Sequence, residues 1–367
     1  MTPWFPNPGD LQNGIFIQRL AQAAALHCKV TICHFYQGLE FSESKTEVEN
    51  LPVIQLEFPA GSGIGHQLNK RKHLRACLEQ LYKENPIDLI HGQQLTADAL
   101  WFQQWADKKR IPTVYSIHWS GFTDDRFNGW PWIKKSIVRQ LVKKSAMLLP
   151  VSKFLSEQLK GKGLKGRQQV LPNVVTVTED LIENSNKHKV FTFCMVADLD
   201  DSIKRISSAI QAFVIYQRTY PEDQFAIVGG GPDEEKLREY LGKFDGVNFM
   251  GRMTQPQAME ELSKCHATII NSRVETFSVV ALESAALGNF TLSTPCGGPE
   301  ETAKDTSALI LEDFERTTLI QAMKQVRTSY EAKGLPKPQK LAPFSQEAIG
   351  EKLEEIYNSV VKSSTPT

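Results

Sequence analysis

The sequence predicts an α/β protein made of two doubly wound domains with parallel sheets, and three observations support this expectation. The chain has 367 residues, a length typical of two domains rather than one. Short apolar runs typical of buried strands alternate with segments of helical periodicity, as in parallel sheets with crossover helices. This alternation occurs twice, and a polar segment at residues 176–189 separates the two halves.

The first half is expected to form a domain of residues 1–172 with an incomplete first strand. Its first helix is predicted at Ile15–Leu26. Its predicted strands are Val30–His34, Ile87–His91, Thr113–His118 and Ala146–Val151. A further strand should precede Trp4-Phe5-Pro6, but only three residues are available for it. We therefore expect a truncated first strand, and a longer native N-terminus would account for it.

The second half is expected to form a domain of residues 173–344, followed by a helix that crosses back to the first domain. Its predicted strands are Phe191–Ala197, Gln224–Val228, Val247–Phe249, Thr268–Ile270 and Asn289–Ser293. Its predicted helices are Ser207–Tyr216, Glu234–Leu241, Gln257–Cys265 and Val279–Leu287. The last helix, in residues 345–367, has Ser345 as a candidate N-cap and apolar residues at helical spacing from Ile349 to Val360.

Composition excludes several classes of protein. The chain is 41% hydrophobic and 23% charged, which is ordinary for a globular protein and excludes disordered, fibrous and disulfide-stapled chains. No apolar stretch approaches the ~18 residues of a membrane span, and the N-terminus lacks the features of a signal peptide. Six scattered cysteines without a CxxC pair indicate reduced thiols, so we expect a cytoplasmic protein.

Charge is unevenly distributed although the net charge is zero. Residues 1–180 carry a net charge of +6 and the remainder −6, and residues 126–167 contain eleven basic residues against one acidic residue. Within this stretch, residues 130–144 form a basic, amphipathic segment that begins with Trp130 and Trp132. It is either a peripheral contact with an anionic membrane, such as the inner face of the plasma membrane, or an ordinary solvated helix. No motif for nucleic-acid binding accompanies it.

Residues 271–283 contain the sharpest chemical signal. A buried strand runs into a loop and then a helix, and Thr276 or Ser278 is expected to cap that helix. Because helix N-termini present free N–H groups and a positive dipole end, this position suits a phosphate. Glu275 lies just before the helix and Glu283 about two turns later, so two carboxylates can contact different parts of one ligand.

This segment resembles the E-x7-E motif of the retaining glycosyltransferases of family 4, which have the GT-B fold. That fold consists of two Rossmann-like domains facing each other across a cleft. The resemblance extends over nearly the whole chain. Further matching segments are Asp88–His91, Pro112–His118, Val151-Ser152, Leu171–Asn173, Val228–Pro232, Phe249–Arg252 and Gly297–Glu301.

The resemblance implies a role for each matching residue. The implied catalytic residues are Glu275, His118 and Lys204, of which His118 faces the donor sugar and Lys204 neutralises its diphosphate. Glu275 would hold sugar hydroxyls and Glu283 ribose hydroxyls. The remaining implied donor-binding residues are Gly14, Arg205, Arg252, Met253, Thr276, Phe277 and Ser278.

One departure from the family pattern concerns the diphosphate. Ala197-Asp198-Leu199 stands where family members often have Gly-Arg-Leu, so a carboxylate replaces a phosphate-binding arginine. Arg205 is a candidate to compensate. The acidic segment 198–201 also raises an alternative, since Asp-x-Asp binds a divalent metal in glycosyltransferases of the other major fold. The rest of the chain matches the metal-free fold, so no essential metal or cofactor is expected.

The resemblance implies a retaining hexosyltransferase that moves a sugar from a nucleotide-diphosphate donor to a hydroxyl of a glycan or lipid-linked acceptor. It further implies a setting in bacterial cell-surface polysaccharide synthesis. Two alternatives remain open. One is a non-catalytic GT-B partner subunit that binds an acceptor or a catalytic subunit, and the other is a GT-B sugar-nucleotide epimerase.

Overall fold

The computed structural model describes residues 1–7, 10, 12–61, 63–183, 186–303 and 306–364. The chain divides into two compact units. Unit 1 comprises Met1–Val174 with Pro343–Thr367, and unit 2 comprises Val175–Ala342. The expected boundaries, after residues 172 and 344, each differ from these divisions by two residues.

Unit 1 combines two small sheets with helices. Its strands are β1 (Ile32–Gly38), β2 (Ser42–Val48), β3 (Leu51–Pro59), β4 (Ile90–Gly92), β5 (Thr113–Ile117) and β6 (Met147–Pro150). Its first helices are α1 (Ile15–Ala25), α2 (Ile64–Glu84), α3 (Ala99–Lys109), α4 (Trp132–Lys144) and α5 (Lys153–Gly161). In one sheet β3 pairs in parallel with β1 and antiparallel with β2, and in the other β4, β5 and β6 are parallel.

The first two residues join these sheets. The Thr2 N–H donates to Cys33 O at 3.0 Å, and the Phe35 N–H donates to Thr2 O at 3.1 Å, so Thr2 extends the ladder of β1. On the other side, the Gln93 N–H donates to Met1 O at 3.1 Å, just beyond β4. Met1 and Thr2 therefore stand in the position of the expected first strand.

Unit 2 is a six-stranded parallel sheet with helices. Its strands are β7 (Thr192–Val196), β8 (Gln224–Val228), β9 (Val247–Gly251), β10 (Ala267–Ile270), β11 (Phe290–Ser293) and β12 (Ala308–Ile310). Its helices are α6 (Glu179–Glu183), α7 (Asp201–Lys204), α8 (Ile206–Gln217), α9 (Glu234–Leu241), α10 (Gln255–Lys264), α11 (Val279–Ala286), α12 (Gly298–Thr302) and α13 (Arg316–Lys333). Its core is rich in phenylalanine and includes Phe193 of β7, Phe225 of β8 and Phe213 of α8.

The strand order of unit 2 locates its candidate ligand site. The order is β12-β11-β10-β7-β8-β9, so the chain reverses its direction of winding between β7 and β10. In open α/β sheets, ligands bind outside the carboxyl ends of the strands at this reversal. The loops that follow β7 and β10 are therefore expected to form the site.

The last helix, α14 (Gln346–Ser364), belongs to unit 1 and packs on α1. Ser345 caps it as predicted, because the Ala348 N–H donates to Ser345 Oγ at 3.1 Å. Four apolar side chains of α14 are buried in a cluster with Leu20 and Ala23 of α1; they are Ile349, Leu353, Ile356 and Val360. Among the described residues, no helix has the length and apolarity required to cross a bilayer.

The predicted elements agree with the structure to different degrees. The bounds of β8 and α9 agree with the prediction, whereas the strand predicted at Ile87–His91 begins only at Ile90, and the one predicted from Val30 begins at Ile32. The sequence did not predict β2, because its side chains are almost all exposed and show no apolar alternation.

Candidate functional site

The loops that follow the strands of unit 2 lie at the carboxyl edge of its sheet, and two glycines let them approach closely. A Cβ on Gly229 would lie 1.8 Å from Ala197 O, and one on Gly231 would lie 2.5 Å from Leu199 N. The loop after β8 therefore packs directly on the loop after β7. As predicted, the glycine run forms a tight turn before α9.

Lys204 and Glu275 form an ion pair at this edge, although they follow different strands. Lys204 Nζ donates to Glu275 Oε1 at 2.6 Å, and Ser272 Oγ donates to the same oxygen at 2.7 Å. Burial alone would lower the pKa of Lys204, but the attraction of Glu275, followed by that of Asp198, outweighs it and raises that pKa. Lys204 is thus a positioned cation at the reversal between β7 and β10.

The backbone of Glu275 is held as firmly as its side chain. The Glu275 N–H donates to Cys296 O at 2.8 Å, and the Gly298 N–H donates to Glu275 O at 2.8 Å. A Cβ on Gly298 would lie 2.6 Å from Phe277 N, so the start of α12 packs closely on the segment before α11. The Phe277 side chain is buried. Backbone hydrogen bonds and close packing therefore fix the position of this loop in the structure.

Ser278 occupies the N-cap position of α11 but does not cap it through its hydroxyl. Its backbone is left-handed, with φ 65°, and its side chain makes no capping hydrogen bond. Of the two residues predicted to cap α11, Thr276 and Ser278, the structure places Ser278 at the N-cap position, but its hydroxyl does not act as the cap. A left-handed serine is strained and persists where its surroundings enforce it.

Glu283 lies on the buried side of α11 and is only 5% exposed. Gln255, the first residue of α10, donates from Nε2 to Glu283 Oε1 at 3.4 Å. The neighbouring side chains of Ala281 and Leu282 are buried. Glu283 is therefore not a solvated helix residue, and Gln255 positions its carboxylate.

The other predicted donor-binding residues of unit 2 differ in their placement. Arg205 does not join Lys204, because its Nη2 donates to Phe314 O at 2.6 Å and its guanidinium lies over the Phe314 ring at 5.5 Å. Arg252 and Met253 follow β9, where Arg252 is exposed and Met253 half-buried. A Cβ on Gly230 would lie 3.3 Å from Arg252 Nε, so Arg252 lies beside the glycine turn.

The acidic segment after β7 uses two of its three carboxylates to start helices. Asp200 caps α7 by accepting from the Ser202 N–H at 3.1 Å. Asp201 accepts from the Ser207 N–H at 2.7 Å and from its hydroxyl at 2.6 Å. This geometry favours a structural role for Asp200 over the metal-binding alternative. Asp198 remains exposed.

In unit 1, Gly14 and His118 are linked through Phe16. Gly14 starts α1 with φ 67°, and a Cβ there would lie 2.7 Å from the backbone carbon and oxygen of Trp4. His118 follows β5, its ring centroid lies 4.7 Å from that of Phe16, and its Nε2 lies 3.4 Å from Gln93 Oε1. Burial lowers the pKa of His118 to about 3, so its imidazole is neutral near pH 7.

A second histidine, His91, contacts the strand β5, which precedes His118. The sequence did not single out His91 for a role. His91 Nδ1 lies 2.7 Å from Tyr357 Oη of α14, and its Nε2 lies 2.8 Å from Ser116 Oγ of β5. His91 thereby connects α14 to the strand that ends at His118. The sequence also did not predict the hydrogen bond from Ser272 to Glu275. The only local signal for it is a hydroxyl three residues before the carboxylate.

The two tryptophans of the basic segment at residues 130–144 differ in their surroundings. Trp130 stacks on Trp119 with ring centroids 4.8 Å apart, whereas Trp132, the first residue of α4, is 75% exposed. Ile133 beside it is 56% exposed. At the other end of α4, Lys144 forms an ion pair with Asp107. An apolar tip and a basic helix therefore face solvent in unit 1.

Comparisons with known proteins agree with this architecture. The model of the glycosyl transferases group 1 family matches residues 177–342, and that of glycosyltransferase family 4 matches residues 14–179. Among curated proteins, the chain is 25% identical to the phosphatidylinositol N-acetylglucosaminyltransferase gpi3 subunit of Schizosaccharomyces pombe, covering 97% of this chain and 79% of that protein. It is 22% identical to a phosphatidylinositol N-acetylglucosaminyltransferase subunit of Arabidopsis thaliana, covering 84% and 69%.

Solved structures extend the likeness to the fold. Sucrose-phosphate synthase from Thermosynechococcus elongatus superposes with a TM-score of 0.74 at 17% identity, covering 95% of this chain and 93% of that one. HepE from Anabaena, solved with UDP and glucose, gives 0.69 at 15% identity and covers 98% of each chain. The expected fold is confirmed: the chain belongs to the group 1, family 4 glycosyltransferases and has the GT-B fold of two Rossmann-like domains.

Proposed function

We propose that this protein is a retaining hexosyltransferase that moves a sugar from a nucleoside-diphosphate donor to a hydroxyl of a glycan or lipid-linked acceptor. The observation that carries the proposal is the Lys204–Glu275 ion pair at the reversal between β7 and β10. A diphosphate is the ligand class that best matches a positioned ammonium group beside the start of a helix.

The proposed chemistry uses Lys204 where charge develops. As the bond between the sugar and the diphosphate breaks, negative charge grows on the leaving oxygen, and a fixed cation stabilises it more in the transition state than in the ground state. Lys204 then transfers its interaction from Glu275 to phosphate. Glu275 is released to hold hydroxyls of the donor sugar, while Glu283 and Gln255 hold the ribose.

The remaining donor contacts are those that the family resemblance implies. The backbone of residues 276–278 would contact the diphosphate and sugar, since the Phe277 side chain is buried. Arg252 and Met253 would border the base. Gly14 would close over the phosphates from α1, and the neutral His118 imidazole would hydrogen-bond to the sugar. Arg205, which is engaged by Phe314, would contribute only after leaving that carbonyl.

Retention would follow from a front-face route. The acceptor hydroxyl attacks the anomeric carbon on the side from which the diphosphate departs, and the departing phosphate oxygen takes the hydroxyl proton. The C–O bond to the acceptor forms as the C–O bond to the leaving group breaks. No protein nucleophile and no metal is required by this route.

The proposed setting is bacterial surface-polysaccharide assembly in the cytoplasm, with α4 at the inner membrane surface. The exposed Trp132 and Ile133 would enter the headgroup layer while basic residues face anionic lipids. Trp132→Ser should reduce the fraction of the protein that sediments with vesicles rich in phosphatidylglycerol. The fraction that sediments with neutral vesicles should not change. Equal sedimentation of both proteins would remove this part of the proposal.

A non-catalytic partner subunit is the second candidate. One observation that favours it is the carboxylate of Asp198 near Lys204, the cation proposed to bind the diphosphate. The other is that two relatives are named as subunits of one transferase. A nucleotide-sugar panel led by UDP-glucose and UDP-N-acetylglucosamine separates the two candidates. We expect nucleotide release with an α-anomeric product by NMR from an α-linked donor. Donor binding without turnover on any acceptor would favour the partner-subunit candidate.

A further inference from the structure

A second polar cluster lies at the opposite, amino-terminal edge of the unit 2 sheet. His188 precedes β7, Glu261 lies in the last turn of α10, and Cys265 directly follows that helix, before β10. One ligand atom from each of the three side chains lies within 4.8 Å of the other two.

We propose that His188, Glu261 and Cys265 bind one Zn²⁺ ion. An imidazole nitrogen, a carboxylate oxygen and a thiolate sulfur are the three ligand types that zinc takes in proteins. The sulfur and nitrogen disfavour Mg²⁺ and Ca²⁺, which prefer oxygen ligands. Three protein ligands also leave a fourth position for water.

Burial makes the cluster a pocket for a cation rather than a surface group of charges. Cys265 is fully buried, and Glu261 is 8% exposed. His188 Nε2 lies 3.0 Å from Glu261 Oε1, and its side chain is 36% exposed. The carboxyl of Glu261 and the sulfur of Cys265 therefore lie together in the interior, and the partly exposed His188 provides the route from solvent. A bound dication would offset the cost of burying a carboxylate and a thiolate there.

The surroundings hold the ligands in place. The Cys194 thiol donates a hydrogen bond to the Cys265 sulfur. The backbone N–H of His188 donates to Lys264 O at 2.9 Å. Beside it, Lys187 Nζ donates to Cys265 O at 2.7 Å.

Lys187 is a cation that lies beside the cluster. Its ammonium donates to two oxygens, Cys265 O and Asn289 Oδ1. Neither of these acceptors is one of the three ligand atoms, so these hydrogen bonds leave the proposed ligands available to a metal.

The test uses Co²⁺ as a spectroscopic probe for the zinc site. The full chain, freed of metal by chelation, should bind one equivalent of Co²⁺ and show a near-ultraviolet sulfur-to-cobalt charge-transfer band, which one equivalent of Zn²⁺ abolishes. Cys265→Ser should remove the band, and His188→Ala should weaken Co²⁺ binding by about tenfold or more. Cys296→Ser, at another buried cysteine of unit 2, should keep the band.

Each contrary result overturns the proposal. Failure of the folded chain to bind Co²⁺ with a thiolate band, or failure of one equivalent of Zn²⁺ to abolish that band, would exclude the site. A band that survives Cys265→Ser, or binding that is unchanged in His188→Ala, would assign the metal to other residues. Because the His188 side chain is partly exposed, His188→Ala should fold even if Cys265→Ser does not, and circular dichroism checks both.

Discussion

The two units place different electrostatics at their candidate sites, although both are built on parallel strands. In unit 2, Lys204 and Glu275 are an ionised pair 2.6 Å apart. In unit 1, His118 is neutral and lies against the Phe16 ring. A fixed cation suits an anionic diphosphate, whereas a neutral imidazole beside an aromatic ring suits uncharged sugar hydroxyls. In both units the fold provides the edge of a parallel sheet, and the individual residues at that edge set its charge.

The two units also differ in a way that lets them be measured separately. All six tryptophans lie in unit 1, at positions 4, 101, 105, 119, 130 and 132. Tryptophan fluorescence therefore reports on unit 1 alone, while far-ultraviolet circular dichroism reports on both units. This difference allows the stability of unit 1 to be followed apart from that of unit 2.

The largest expected effect is on catalysis at unit 2. Lys204→Met should lower kcat by about 100-fold or more, because the leaving diphosphate loses a positioned cation. Nucleotide release with the best donor measures this. Lys187→Met is the matched control: it also removes a partly buried lysine of unit 2, and it should lower stability while leaving kcat within about twofold. Equal losses of kcat in the two variants would remove the assigned role of Lys204.

A smaller effect is expected on the stability of unit 1. Gly14→Ala should destabilise it by about 2 kcal/mol, because φ is positive and the new Cβ meets the backbone of Trp4 at 2.7 Å. Gly163→Ala isolates the backbone part, since φ there is 78° and no atom lies within 4 Å of the new Cβ. Urea unfolding followed by tryptophan fluorescence should rank Gly14→Ala well below Gly163→Ala, and equal midpoints would show that the contact with Trp4 relaxes freely.

Acid should destabilise unit 1 through its buried histidines. Burial lowers the pKa of His34 from 6.5 to about 4. Between these two pH values, His34 is protonated in the unfolded chain but neutral in the folded chain. Stability is unaffected above pH 6.5 and falls as pH drops toward 4, by about 1.4 kcal/mol per pH unit for this group. His34→Phe should flatten the fluorescence-detected pH dependence by that amount. An unchanged slope would mean that the imidazole protonates within the fold.

The smallest expected effect is a gain of stability in unit 2. Ser278→Gly should raise the free energy of unfolding by up to about 1 kcal/mol, because glycine adopts the left-handed backbone without strain and its added unfolded-state entropy offsets only part of the gain. Thermal unfolding by circular dichroism should show the shift while the tryptophan signal of unit 1 stays unchanged. A loss of stability would show that the Ser278 side chain stabilises the loop.

Burial explains part of what the sequence predicted. The strand at Gln224–Val228, buried at four of its five residues, was placed with its observed bounds, and the helix predicted at Ser207–Tyr216 lies within the observed Ile206–Gln217, which has six buried residues. The strand β3 was not predicted although it also contains buried residues. The long helix α2 was not predicted, since only Leu74, Cys77 and Leu78 of its side chains are buried. A helix with so few buried residues lacks the periodicity that sequence analysis detects.

The candidate site was predicted as a set of residues but not as a set of contacts. Glu275 and Lys204 were both assigned to the donor, yet their ion pair depends on β7 lying beside β10, which the sequence does not reveal. Arg205 was expected to assist Lys204, but it donates to Phe314, which is 109 residues away in the chain. Contacts over such separations are set by tertiary structure, and no local pattern encodes them.

The most direct test of the central claim is a crystal structure of the chain with the nucleoside diphosphate that stabilises it most in a thermal panel of UDP, GDP and ADP. A ligand at 100 times its Kd should add about 2.7 kcal/mol of stability. We predict diphosphate oxygens bonded to Lys204 Nζ and to the first N–H groups of α11, with Glu275 parted from the lysine. A nucleotide ordered elsewhere, with Lys204 still bonded to Glu275, would contradict the account.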